Sequence, residues 1–270
     1  MRRENTLSWH VLHSESPRAP LGLAGRPSTR LSSHCGRPVV LLYGFFGVPS
    51  MLGPLAGALS RRGRCVLWFD LGGWLGRFNT SPIDELAEQV RVGVEQLLEQ
   101  TGSRSIDLVG HSAGGLVGRD YVQRLGGSRY VEQLVTLGTP HRGAPSASLG
   151  YFCTGLSCLE QLAPDSDFLR RLRDDEFPAG TRLTSVFSRE DRLCPPESCR
   201  LDTGDRPELR NVELESGGHL DFLFRKPAID VVRAELADGS RLRRGEHPSR
   251  REGRVMRGAT LLRRFRARPA

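Results

Sequence analysis

Ile106-Asp107-Leu108-Val109-Gly110-His111-Ser112-Ala113-Gly114 decides how this chain is read. Residues 106–109 suit a buried strand and run straight into Gly-x-Ser-x-Gly. Gly115-Leu116-Val117-Gly118-Arg119-Asp120-Tyr121-Val122 then follows with apolar residues at helical spacing. A strand that breaks sharply into a helix at a serine holds that hydroxyl on a strained, exposed corner. So tight a corner tolerates almost no neighbouring side chain. Gly110 and Gly114 meet that need, having no Cβ to strike strand or helix. The pattern predicts Ser112 as a nucleophile. A glycine-rich turn without chemistry is the competing reading, and the flanking strand and helix weigh against it.

Outward from this corner, strands are predicted at 39–43, 65–69, 106–109, 133–137, 183–187 and 212–214. Helices are predicted over 50–61, 81–100 and, as a closing element that runs through Pro227, 220–236. Ser81-Pro82 reads as an N-cap with a first-turn proline, Asp84, Glu85 and Glu88 suit the positive helix end, and Gly102 reads as the stop. Strands alternating with helices imply parallel β-α-β crossovers and a doubly wound α/β sheet. Sites in such sheets lie beyond the carboxyl ends of the strands. Residues 141–180 carry no clear strand, and so long a connection is expected to be functional, as a lid or cap.

The 270 residues are 38% hydrophobic and 26% charged, enough for one α/β domain. The formal charge of +8 is unevenly spread. Residues 1–38 carry +4 and residues 239–270 carry +9, leaving −5 on the segment between. The expected organisation is a disordered extension over 1–36, a folded domain over 37–238 and a basic disordered tail over 239–270. The tail is suited to peripheral contact with anionic membrane. One lysine against 38 arginines suggests a codon bias instead, so a merely solvated tail is favoured and no specific nucleic acid is expected. No stretch approaches the ~20 apolar residues that span a bilayer. No apolar run of signal-peptide type follows Met1-Arg2-Arg3, which favours a cytoplasmic location over secretion. The cysteines are residues 35, 65, 153, 158, 194 and 199. Two Cys-x4-Cys pairs are longer than the usual metal-binding turn, so zinc is not expected. Disulfides and free thiols both remain open for these loops.

A serine hydroxyl needs a base to take its proton and an acid to orient that base. Downstream of Ser112 the histidines are His141, His219 and His247. His247 lies in the tail, and His141 follows the strand next to the serine. His219 follows the sixth strand through Glu215-Ser216-Gly217-Gly218, a loop able to bring an imidazole to the serine, and is the predicted base. Strand five ends at Ser188-Arg189-Glu190-Asp191, where Asp191 is favoured over Glu190 as the acid. Asp202 and Asp205 read as loop residues. The oxyanion needs two N–H donors. Ala113, after the nucleophile, and Phe45, in Gly44-Phe45-Phe46-Gly47, are predicted to supply them.

With these residues in view, the chain resembles the bacterial lipase and esterase branch of the α/β-hydrolases. Gly110-His111-Ser112-Ala113-Gly114-Gly115 matches that family's Gly-His-Ser-x-Gly-Gly. Leu137-Gly138-Thr139-Pro140-His141-Arg142-Gly143 is similar to its Leu-Gly-Thr-Pro-His-x-Gly. Cys158 to Leu162 with Pro164-Asp165-Ser166 and Phe168-Leu169 resembles its lid end, Ser188 to Pro195 its acid loop, and Gly218-His219-Leu220 its histidine loop. The resemblance covers about residues 37–236. It implies an α/β-hydrolase fold: a mostly parallel, doubly wound sheet of about six strands, helices on both faces and a small lid at about 141–180. The two leading strands of the full fold would be missing. It also implies Ser112, Asp191 and His219 as a triad, Phe45 and Ala113 as the oxyanion hole, and His141 as scaffold.

One departure concerns the oxyanion loop, where Tyr43-Gly44 replaces the family's His-Gly. The implied activity is serine-dependent hydrolysis of an acyl ester or lipid through an acyl-enzyme, with no cofactor and no metal. An acyltransferase, a thioesterase, or an impaired hydrolase fold that binds lipid or a partner are the alternatives. Phe45, Phe46, Tyr151, Phe152, Leu156 and Leu159 suit an acyl chain at the mouth, or simply pack. Acyl length and oligomeric state are not legible.

Overall fold

The structure is a computed structural model that describes residues 9–12, 36–45, 47–61, 63–69, 71, 80–147 and 154–242. Seven strands form one sheet: β1 (Trp9–Leu12), β2 (Val39–Leu42), β3 (Val66–Phe69), β4 (Ile106–His111), β5 (Val131–Leu137), β6 (Arg182–Ser188) and β7 (Leu209–Leu214). Their spatial order is β1-β3-β2-β4-β5-β6-β7. The pairs from β3 through β7 are parallel, and β1 runs antiparallel on β3, Trp9 opposite Phe69. Strands buried on both faces read as continuous apolar runs, and β2 and β4 have every residue buried.

The crossover helices are α1 (Gly53–Ser60), α2 (Ile83–Thr101) and α3 (Ala113–Arg124). After β5 come α4 (Ser157–Leu162) and α5 (Asp167–Asp174), then α6 (Pro196–Cys199) and α7 (Lys226–Leu242). The strand order reverses between β3 and β4, so right-handed crossovers send α1 and α2 to opposite faces. Accordingly α2 packs on α3 while α1 packs on α7. This is the expected α/β-hydrolase architecture.

Several expectations change in detail. The stretch expected to be a disordered extension contributes β1, so one leading strand is present. Trp-His-Val-Leu is too short to signal a strand, and its order comes from pairing with a distant edge. The rest of residues 1–35 and the basic tail beyond 242 lie outside the described residues. The closing helix begins at Lys226 rather than Leu220, with a short 3-10 turn at Asp221–Leu223 before it. Proline lacks an N–H, so Pro227 belongs in the first turn rather than the interior. Ser81 does not cap α2. Pro82 occupies the N-cap position without a side-chain bond, and the Ile83 N–H donates to Gln161 Oε1 instead. Gly102 does stop the helix, at φ +68°.

Residues 141–180 are not structureless, since they hold α4 and α5. Gln161 ties α4 to the start of α2, and Ser166 caps α5 by accepting from Leu169 N–H. Buried Asp107, inside β4, accepts from Arg37 Nε at 2.9 Å and Arg64 Nη1 at 3.2 Å. Among the described residues no helix is long and apolar enough to cross a membrane. Cys65 is disulfide-bonded, whereas Cys158, Cys194 and Cys199 are free thiols.

Candidate active site

Five parallel strands end on one rim, and each is followed by a piece of the candidate site. Ser112 follows β4 with φ 55° and ψ −131°, a conformation that non-glycine residues adopt at a cost of about 1–3 kcal/mol. The backbone holds it there: Ser112 N–H donates to Leu137 O at 2.9 Å, and Ser112 O accepts from Gly115 N–H and from Thr139 Oγ1. The glycines of the corner are sterically required. A Cβ on Gly110 would lie 2.5 Å from Gly115 Cα, and one on Gly114 would lie 2.6 Å from Leu42 O.

The loop after β2 passes directly against the serine, since a Cβ on Gly44 would fall 2.6 Å from Ser112 Cβ. Phe45 is the next residue of that loop, and Ala113, after the serine, is the first residue of α3, whose N–H belongs to the unpaired first turn of a helix. Tyr43, in place of the family histidine, is buried, and its hydroxyl accepts from Leu71 N–H at 3.2 Å. The aromatic ring therefore anchors the loop after β2 from inside the core. Phe45 and Leu159 pack partly buried on that core. Phe46, Tyr151 and Phe152 lie outside the described residues.

Asp191 and His219 come from different loops, after β6 and β7, and meet in one hydrogen bond. His219 Nδ1 lies 2.8 Å from Asp191 Oδ2. The other carboxylate oxygen accepts from the N–H groups of Leu193 (3.0 Å) and Cys194 (2.9 Å), which fixes Asp191 at 1% exposure. Glu190, the less favoured acid, serves the backbone instead. It accepts from Gly217 N–H at 2.9 Å and so ties the acid loop to the histidine loop. Gly217 sits at φ +132°, which favours glycine. Burial disfavours the charged imidazole of His219, but the hydrogen bond to Asp191 and the neighbouring Cys194 sulfur outweigh it and raise it to about 9. Cys194 is drawn down to about 6, chiefly by the Cys199 thiol beside it.

The serine and imidazole are brought to the same rim without a hydrogen bond between them among the described residues. Their link runs through His111, whose role the sequence reading missed. His111 Nε2 lies 2.9 Å from His219 O, and the two rings are 4.8 Å apart. Burial lowers the His111 imidazole to about 4, so near neutrality it is an uncharged donor to that carbonyl. The available signal was its place between Gly110 and Ser112. His141 is a scaffold residue, buried, with Nε2 2.9 Å from Thr136 Oγ1. As for ions, donor atoms of Asp191, Cys194 and His219 all lie within 4.8 Å of one another.

Comparison with known proteins agrees with this architecture. The family profile of palmitoyl protein thioesterases matches residues 52–172. Triacylglycerol lipases of Pseudarthrobacter phenanthrenivorans and Burkholderia plantarii are each 43% identical over 60 residues, 22% of this chain and 18% and 16% of theirs. The matched stretch thus spans under a fifth of those curated relatives. Among solved structures, the mature lipase BlEst2 of Bacillus licheniformis superposes with a TM-score of 0.64 at 17% identity, covering 84% of this chain and 97% of that one. A lipase-esterase related protein of Clostridium acetobutylicum gives 0.60 at 13% identity, covering 85% and 99%. With a Gly-x-Ser-x-Gly corner after β4 and that shared architecture, the chain has the α/β-hydrolase fold and is similar over part of its length to palmitoyl protein thioesterases and triacylglycerol lipases.

Proposed function

We propose that the chain is a serine hydrolase of carboxylic esters, with Ser112 as nucleophile, His219 as base, Asp191 as its orienting acid, and Phe45 and Ala113 N–H as the oxyanion hole. The observation that carries this reading is the 2.8 Å bond from His219 Nδ1 to Asp191, on the rim where Ser112 is strained. Asp191 holds Nδ1 in its protonated form and leaves Nε2 free to take the serine proton. Attack of Ser112 Oγ on an acyl carbonyl forms a tetrahedral oxyanion, which the two backbone donors stabilise. The imidazolium then gives its proton to the departing alkoxide. Water, deprotonated by the same nitrogen, releases the acid from the acyl-enzyme.

Replacing Ser112 by Ala is expected to lower kcat on a p-nitrophenyl ester by about 10⁶-fold with an unchanged circular dichroism spectrum. A fluorophosphonate probe should label the wild type at Ser112 and leave the variant unmodified. Turnover retained by Ser112→Ala sinks the assignment, and an unlabelled wild type favours an impaired fold that binds lipid or a partner. The base works in its neutral form, and its folded-state value is raised. kcat/KM should therefore climb with pH as the imidazole loses its proton, with its midpoint near 9. A pH–rate profile already flat from pH 6 would contradict that environment for His219.

A thioester substrate is the second reading, favoured by the palmitoyl protein thioesterase profile over residues 52–172. The same triad serves both, because the fold does not select the leaving group. Matched acyl oxygen esters and thioesters, compared by kcat/KM, separate the two. Added alcohol competing with water exposes an acyltransferase. The 141–180 segment, clamped at α4 and α5, is proposed as the lid over the acyl site.

A further inference from the structure

We propose that Cys194, His219 and Asp191 together form a binding site for a thiophilic divalent cation of the zinc type, and that the bound ion switches the hydrolytic site off. The switching rests on the triad reading above; the site itself does not. Sequence spacing argues against zinc because Cys194 and Cys199 are separated by four residues. The fold supplies what spacing cannot show: one cysteine of that pair is joined by the Asp191 carboxylate of its own loop and by an imidazole from a distant one. One sulfur, one nitrogen and one oxygen donor lie within 4.8 Å of one another. Thiolate, imidazole and carboxylate are the usual ligands of zinc, at about 2.3, 2.0–2.1 and 2.0–2.2 Å. In a tetrahedron these lengths set the donors roughly 3.3–3.6 Å apart, so the site forms when the longest spacing closes by about an ångström and the Nδ1–Oδ2 pair, now at 2.8 Å, opens by about half that.

The surroundings hold the donors in place. Asp191 and Cys194 are buried at 1% and 4% exposure. The Asp191 carboxylate is already oriented by the Leu193 and Cys194 N–H groups. Behind Cys194, the Cys199 thiol donates to the Cys194 carbonyl at 3.2 Å and fixes the loop that carries the first sulfur. Such outer contacts are what orient metal ligands. His219 remains partly exposed, so an ion has a path in.

The effect on catalysis follows from where the protons go. The ion takes Cys194 as the thiolate and His219 as the neutral imidazole, and the one proton the sulfur–imidazole pair gives up goes to solvent. The neutral imidazole keeps one proton, but the metal now occupies Nδ1, so that proton resides on Nε2. Nε2–H has no lone pair for the Ser112 hydroxyl, and Asp191 is engaged by the ion. The base is silenced without any change to the serine.

The test uses the full chain with thiols kept reduced, cobalt(II) as a spectroscopic probe and zinc(II) as inhibitor. The wild type should take up one cobalt ion with thiolate-to-cobalt charge-transfer absorption in the near ultraviolet. Cys194→Ser should lose that absorption, and Cys158→Ser should keep it. The zinc concentration that halves p-nitrophenyl ester hydrolysis should rise at least about tenfold in Cys194→Ser, each protein being compared with its own metal-free rate. Cys194→Ala, checked for fold by circular dichroism, serves if the serine variant does not fold. Absence of the cobalt band in the wild type, or full zinc sensitivity in a folded Cys194 variant, overturns the proposal. A band in a protein that hydrolyses no ester supports the site and removes the hydrolase reading instead. Hydrolysis with no band does the reverse.

Discussion

Asp191→Asn is expected to lower kcat for ester hydrolysis by about 10⁴-fold while leaving the melting temperature nearly unchanged. The two halves of that expectation come from the two oxygens of one carboxylate. Oδ1 accepts from the N–H groups of Leu193 and Cys194, and an asparagine carbonyl oxygen accepts from both equally well. The loop therefore keeps its shape. The other position, facing His219 Nδ1 at 2.8 Å, becomes an NH₂ group. Two donors cannot share a hydrogen bond, so the ring shifts its proton to Nε2 and presents N–H to Ser112. Steady-state kinetics with thermal melting checks both halves. A variant within tenfold of wild type would mean that Asp191 is not the orienting acid, and Glu190 would become the candidate.

The second large effect concerns stability. Gly110→Ala should destabilise the protein by about 3 kcal/mol or more, the upper range for overpacking. Its Cβ would fall 2.5 Å from Gly115 Cα, 2.6 Å from Gly115 N and 2.7 Å from Gly114 C. All three are backbone atoms of the first turn of α3, which cannot rotate away as a side chain does. For a domain of this size that loss is a fall of roughly 6–12 °C in Tm. Gly57→Ala is the matched control. It lies within α1, and its Cβ would meet nothing nearer than Arg61 Nη1 at 3.6 Å. It should gain about 0.5–1 kcal/mol through helix propensity. Equal melting temperatures for the two variants would show that strand and helix do not approach as closely at the corner as the geometry requires.

The contrast between these glycines also shows what was readable beforehand. The corner was legible because its constraint is local: an apolar run, two absent side chains and a helix, all within about fifteen residues. Strand positions were legible from apolar runs, although their ends were not. β7 begins at Leu209 rather than Val212, since its first residues are mixed in polarity and take their extended form from pairing with β6. Asp191 and His219 could be picked from chain order, but their meeting across two loops is a tertiary fact. Features that depend on distant partners left no local trace. Gln161 caps a helix that starts 78 residues earlier, His111 supports the carbonyl of His219 108 residues later, and Cys194 lies near the His219 imidazole as well as its neighbouring cysteine. The cysteine pattern left disulfides and free thiols open for the 153/158 and 194/199 loops; among the described residues Cys65 is disulfide-bonded and Cys158, Cys194 and Cys199 are free thiols, while Cys153 lies outside the described residues.

The antiparallel pairing of Trp9–Leu12 on Val66–Phe69 has a consequence for biosynthesis. Translation delivers these four residues before their docking edge, which is not made until more than fifty residues later. Until then the nascent chain carries an unsatisfied apolar stretch, and the β2–β3 pair emerges with its outer flank open to other chains. A strand that leaves the ribosome ahead of its docking edge is therefore among the later ones to find its place, sealing a border that the rest of the sheet has already laid down.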